Sequence, residues 1–301
     1  MTFNLNAWLT TALMAVSFIA NSKTISVEHP LGVTTLESKP ERVIVLGMDT
    51  LDIVDYLNIV PIGVVKAPIP DYLTKYQSDQ FASVGTLHEP DFETIFSLKP
   101  DLIIASNRSS PAYEELSEIA PTVVLMADTQ QFWQTTQNGW RMFGEIFEVE
   151  DKIEQLIAET SLEIDQVKRQ AQASNAKALM VMTNGGNVST FGAGSRYDAI
   201  FDEFGFEQLV HNDKVLAHGD LISFEFIAQA NPDYLLVMDR DKAIGRDSGE
   251  AKQGFYNALI AQTNAAKNNR ITELNPQVWY ISASGITATK MMIEDMHNAL
   301  Q

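Results

Sequence analysis

The residues best suited to chemistry in this chain are arginines. Phe92 to Arg108 (FETIFSLKPDLIIASNR) and Phe224 to Arg240 (FEFIAQANPDYLLVMDR) share Phe, Glu, Ile, Pro, Asp and Arg at an offset of 132 positions. A guanidinium is always charged and presents a planar fork of donors, so Arg108 and Arg240 are candidates for gripping an anion with carboxylate or catecholate oxygens. Arg196 joins them, because the loop GAGSR (192–196) falls between an expected strand and an expected helix. Flanking Asp239 and Asp241 give Arg240 an alternative role in surface ion pairing.

Each repeat copy reads as a short helix, a Pro-Asp turn and a buried apolar strand, which sets its arginine just past the carboxyl end of a strand. Open α/β sheets bind ligands there. Asp91 and Ser223 can cap the two helices, leaving Glu93 and Glu225 in equivalent first turns. Those glutamates either stabilise the helix termini or form a matched pair of charges for a partner.

The remaining elements repeat the same alternation. Strands are expected at 42–46, 61–65, 122–126, 178–183, 271–274 and 278–281, and helices at 113–119, 197–204 and 255–267, with a last helix to Leu300. EDKIEQLIAETSLEIDQVKRQAQA has apolar residues at Ile153, Leu156, Ile157, Ile164 and Val167 and no Gly or Pro, so it reads as one long amphipathic helix. The expected fold is α/β: an N-terminal lobe (23–149), a connecting helix (150–173) and a C-terminal lobe (174–301), two Rossmann-like lobes joined by one long helix. A single helical connection implies a stiff clam with a small opening angle.

Composition narrows the function. A formal charge of −18 over 301 residues argues against nucleic acid or an anionic membrane surface as partner. With no cysteine there is no disulfide, thiolate metal site or lipidated cysteine. Residues 1–22 read as a cleaved signal peptide, built on the apolar run LTTALMAVSFIA and small residues before position 23, which leads to a periplasmic protein without a lipid anchor. There is no complete Ser-His-Asp order or Walker loop, and Gly192-Ala193-Gly194 is only a fragment of a dinucleotide fingerprint. A two-lobed transferase is therefore the distant alternative. By residue type alone, His218 in AHGD is a loop histidine and Tyr280 in WYIS a core aromatic. Lys66, Tyr197 and Arg246 border the expected cleft with no role assigned.

The repeated F-E-x-I…P-D…R pattern, the long central helix and the stretches GSRYD, AHGD, MDRD and WYISASG resemble the periplasmic ferric-siderophore-binding proteins of ABC importers, in particular their catecholate-binding branch. The resemblance runs from about Val27 onward. It implies a helical-backbone periplasmic binding protein fold, no enzymatic activity and no intrinsic cofactor, with an Fe(III)-catecholate siderophore as transported ligand. It further implies that Arg108, Arg196 and Arg240 form a basic pocket, that His218 and Tyr280 complete the iron's coordination, and that Glu93 and Glu225 dock a monomeric carrier on an inner-membrane ABC permease. Haem, a corrinoid and a hydroxamate siderophore remain the alternative ligands.

Overall fold

A computed structural model describes residues 24–175, 177–211, 219–246 and 254–301. The chain opens on an antiparallel hairpin, β1 (Ile25–His29) and β2 (Gly32–Leu36). Five short strands follow: β3 (Val43–Val45), β4 (Gly63–Val64), β5 (Ala82–Ser83), β6 (Leu102–Ser106) and β7 (Thr122–Leu125). They pair in parallel in the order β5-β4-β3-β6-β7. Helices α1 (Met48–Tyr56), α2 (Phe92–Leu98) and α3 (Tyr113–Ile119) connect them. Every residue of β6 and β7 is buried, as continuous apolar strands covered on both faces must be.

Helices α4 (Phe132–Phe147) and α5 (Glu150–Ser174) lead to the second lobe. Its strands are β8 (Lys177–Asn184), β9 (Asn187–Phe191), β10 (Glu207–Gln208), β11 (Asp220–Ile222), β12 (Tyr234–Asp239) and β13 (Ile271–Glu273). They are ordered β11-β9-β8-β12-β13, with β10 paired beside β8. Helices α6 (Phe224–Ala230), α7 (Arg240–Ala243), α8 (Asn264–Lys267), α9 (Pro276–Ile281) and α10 (Ile286–Ala299) complete the chain.

The two sheets share one plan. In each, an edge strand (β5 or β11) feeds a seven-residue helix (α2 or α6), and the chain then crosses two strands to β6 or β12. The repeat copies occupy these equivalent positions down to their caps. Asp91 accepts from the Thr94 amide and Ser223 from the Phe226 amide, and both helices end on a left-handed residue, Lys99 or Asn231, each at φ 48° before a proline. The halves differ after the first strand of each sheet. Helix α1 follows β3, whereas β8 turns directly into antiparallel β9 through Gly185 (φ 55°) and Gly186 (φ 82°), a pair that only glycine adopts without cost.

Several expected elements differ. Residues 278–281, expected as a strand, belong to helix α9, because Asn275 caps the Val278 amide and Pro276 sits at the first helical position. Residues 197–204 hold only a 3₁₀ turn, Asp198–Ile200, and the 255–267 region is broken into Ile260–Gln262 and α8. The sequence reading assigned nothing to α4, although Phe132, Thr136, Trp140, Phe143 and Phe147 mark one buried face.

Period-two burial divides the second sheet. Leu179, Val181, Leu235 and Val237 pack with Ile227 and Phe255, while Met180, Met182, Leu236 and Met238 face the other way. The latter set belongs to the same core as the first lobe and as α5, α9 and α10. Helix α10 returns to pack against α1 of the first lobe. The lobes are thus joined by a continuous apolar core as well as by α5.

Candidate functional site

The turn after β6 is pinned by buried Ser109, whose hydroxyl accepts from the Ser106 amide (2.9 Å) and donates to the Leu46 carbonyl (3.2 Å), and this sets half-buried Arg108 at the strand's carboxyl end. Arg240 follows β12 directly and opens α7. Its acidic neighbours are engaged elsewhere: Asp239 accepts from the Lys242 amide (3.2 Å) and Asp241 from the Gly185 amide (2.6 Å). Arg196 ends a loop turned by Gly194 at φ 77° and braced by the Gly194 amide donating to Asp198 (2.5 Å).

All three guanidinium groups converge on Tyr280. Arg108 Nη2 donates to the Tyr280 carbonyl (2.7 Å), Arg196 Nη2 reaches the same oxygen at 3.4 Å, and Arg240 Nε donates to the phenol oxygen (2.9 Å). Their Cζ atoms stand 5.2, 4.1 and 5.6 Å from the ring centroid, respectively. Arg196 and Tyr280 form the wall between two hollows. One, of about 360 Å³, is lined by Arg108, Ser106, Asn107, Asp128, Phe132 and Trp279 among others. The other, of about 470 Å³, includes Arg240, Asn184, Asn187, Ser189, Phe191 and exposed Leu221. Asn184 Oδ1 steadies Arg240 Nη1 at 3.1 Å.

The site is strongly cationic within an acidic protein. The ion pairs found among the described residues are Lys75–Asp55, Arg141–Glu154 and Lys177–Glu207, so none of them occupies these three arginines. Burial pushes the Arg108 pKa down, and Arg196 beside it adds to the shift. Desolvation by itself would raise the Tyr280 phenol. The hydrogen bond from Arg240 and the charges of Arg196 and Arg240 outweigh it and hold the pKa below the ordinary 10. Among the described residues, no cluster of three histidine, aspartate or glutamate side chains is placed to hold a metal.

His218 lies outside the described residues, as does the stretch 1–22 expected to be a signal. Glu93 and Glu225 are exposed in the first turns of α2 and α6. Because those helices each link parallel strands, they run antiparallel to them, and both glutamates sit at the sheet edge that carries the strands' carboxyl ends. Of the unassigned residues, Lys66 is held by the Gln77 and Ser78 carbonyls, Tyr197 is wholly buried, and Arg246 is exposed. Sequence reasoning missed Asp49, which lines the first hollow near Arg108 and accepts from Ser284 Oγ (3.2 Å). Burial raises its carboxyl to about 6 against the pull of its hydrogen bonds and of Arg108.

A model described as periplasmic binding protein matches residues 43–278. The chain is similar to the crystal structure of the periplasmic catecholate-siderophore binding protein VctP from Vibrio cholerae, with TM-score 0.88 and 45% identity, covering 92% of this chain and 100% of that one. It is 38% identical over 281 residues to the petrobactin-binding protein YclQ of Bacillus subtilis (92% and 88% of the two chains), whose crystal structure superposes with TM-score 0.88 over 93% of this chain and 99% of that one. The ferric-anguibactin-binding protein FatB of Vibrio anguillarum is 34% identical over 287 residues, 92% and 88% of the two chains. These relatives are binding proteins, not enzymes. Two α/β lobes on a long helix, a cleft of strand-end arginines and the match over residues 43–278 together place this chain in the periplasmic binding protein family.

Proposed function

We propose that this chain captures a ferric catecholate siderophore between its lobes and delivers it to an inner-membrane ABC transporter. The observation that carries this reading is the convergence of Arg108, Arg196 and Arg240, from both lobes, on one tyrosine, Tyr280, none of the three having an ion-pair partner among the described residues. Such a site favours a strongly anionic ligand, and a ferric bis-catecholate is one. Fe(III) is hard and prefers oxygen donors, so a phenolate from Tyr280 suits it. The cationic surroundings that already lower the phenol's pKa ease loss of its proton on coordination. His218 is proposed as the second protein ligand. The relatives named for catecholate siderophores, petrobactin and ferric anguibactin support the choice over haem, a corrinoid or a hydroxamate.

Glu93 and Glu225 are proposed to dock the loaded monomer on arginines of the permease, with residues 1–22 cleaved on export and the mature protein free in the periplasm. The test is a fluorescence titration of the mature protein with ferric bis-catecholate and, at equal concentration, with a neutral ferric hydroxamate. Tight binding of the former with a phenolate-to-iron charge-transfer band that vanishes in Tyr280→Phe is expected. Preference for the hydroxamate would overturn the ligand class.

A further inference from the structure

The stretch WYISASG, residues 279–285, does more than present Tyr280. Side chains and amides on both sides of the phenol are tied to the first lobe. Upstream, Gln277 and Asp71 exchange two hydrogen bonds, the Asp71 amide to Gln277 Oε1 (3.0 Å) and Gln277 Nε2 to Asp71 Oδ1 (3.1 Å). Downstream, the Tyr72 hydroxyl donates to Asp52 Oδ2 (2.8 Å) and lies 2.9 Å from Ser282 Oγ. Ser284 is held at both ends, its hydroxyl by Asp49 and its carbonyl by Trp140 Nε1 (2.9 Å).

Asp52 anchors this arrangement. It is fully buried in α1, and its carboxylate accepts from the Thr287 and Ala288 amides (2.8 Å each) in the first turn of α10. A Cβ on Gly285 would stand 2.5 Å from Asp52 Oδ2, so the glycine of the stretch is what lets the carboxylate reach the helix. The second lobe holds Tyr280 differently: α9 packs on α7, and the polar contacts come from Arg196 and Arg240 side chains.

We propose that Tyr72 and Asp52 are positioning residues for Tyr280, fastening residues 282–288 to the first lobe and so setting where the phenol stands among Arg108, Arg196 and Arg240. The inference rests on the reading of Tyr280 as a ligand contact.

Tyr72→Phe keeps the ring and removes only the bridging hydroxyl, and Ser282→Ala removes the other end of the bridge. In the ligand-free crystal structure of either variant, the phenol oxygen should stand beyond hydrogen-bond reach of Arg240 Nε, which lies 2.9 Å away in the intact protein. With ferric bis-catecholate as probe, Tyr72→Phe should weaken binding roughly tenfold in the wild-type background and not at all in Tyr280→Phe. An unmoved Tyr280 phenol in both variant structures, or losses that simply add, overturns the proposal. A wild-type protein that ignores ferric bis-catecholate would sink the carrier reading instead, and the ligand-free structures would still decide the positioning role.

Discussion

Replacing Arg108 by methionine separates binding from folding. The side chain keeps an unbranched apolar stem but loses its charge and its donors, and the Arg108 Cζ now stands 5.2 Å from the Tyr280 ring. An iron complex bound at that phenol would place catecholate oxygen at a comparable distance. At about 5 Å and an effective dielectric of about 20, one pair of unit charges is worth roughly 3 kcal/mol before desolvation. Desolvation takes back part of that, leaving about 1.4–2.7 kcal/mol, a roughly 10- to 100-fold rise in Kd. The free protein should respond in the opposite sense or scarcely at all, since the substitution also relieves repulsion from Arg196. The Tyr280 carbonyl keeps Arg196 as a donor at 3.4 Å. The assay is fluorescence titration with ferric bis-catecholate at fixed salt, beside a thermal melt of the unliganded protein. Arg108→Lys should lie between wild type and Arg108→Met, because it restores charge without the planar fork. A Kd for Arg108→Met within twofold of wild type would refute the electrostatic argument, and a collapse of Tm would reassign Arg108 to stability.

Other outcomes follow from the same geometry. With Tyr280 as the proposed iron ligand, coordination would release its proton, so ferric-catecholate affinity should fall as pH is lowered, and that dependence should flatten in Tyr280→Phe when Kd is measured across pH. Burial raises the Asp52 carboxyl to about 6, so its contribution to stability is fully present below its unfolded pKa of 3.8 and is lost as pH rises through about 6. Unfolding free energy should therefore decline by up to about 3 kcal/mol from this group between those values, and denaturant melts of Asp52→Asn should show a shallower decline. Gly285→Ala, at an ordinary φ of −67°, drives a methyl into Asp52 and should cost about 1–3 kcal/mol, read as a lower denaturation midpoint. The pair Glu93→Lys and Glu225→Lys should leave ligand binding intact yet abolish stimulation of the transporter's ATPase, whereas unimpaired stimulation would remove the docking role.

Much of the fold was legible because the two repeat copies carry their own punctuation: a capping Asp or Ser, seven helical residues, a left-handed Lys or Asn, and Pro-Asp before an apolar strand. The guanidinium convergence was foreshadowed by placing both arginines at strand ends. Tyr280 was harder, since VWYI is too short for periodicity to separate helix from strand, and the decisive signal was the Asn275-Pro276 cap. Neither Asp49 nor Asp52 signalled its place beside the site. A carboxylate becomes informative only when folding buries it, and the partners of these two in residues 284–288 lie more than two hundred positions away.

The return of α10 onto α1 gives the first lobe two pieces from opposite ends of the chain, with the entire second lobe inserted between them. The first lobe therefore gains its Asp52 contacts only once the start of α10 is present, since the Thr287 and Ala288 amides are what donate to that carboxylate. A chain released amino end first would complete this lobe late, after the whole of the second.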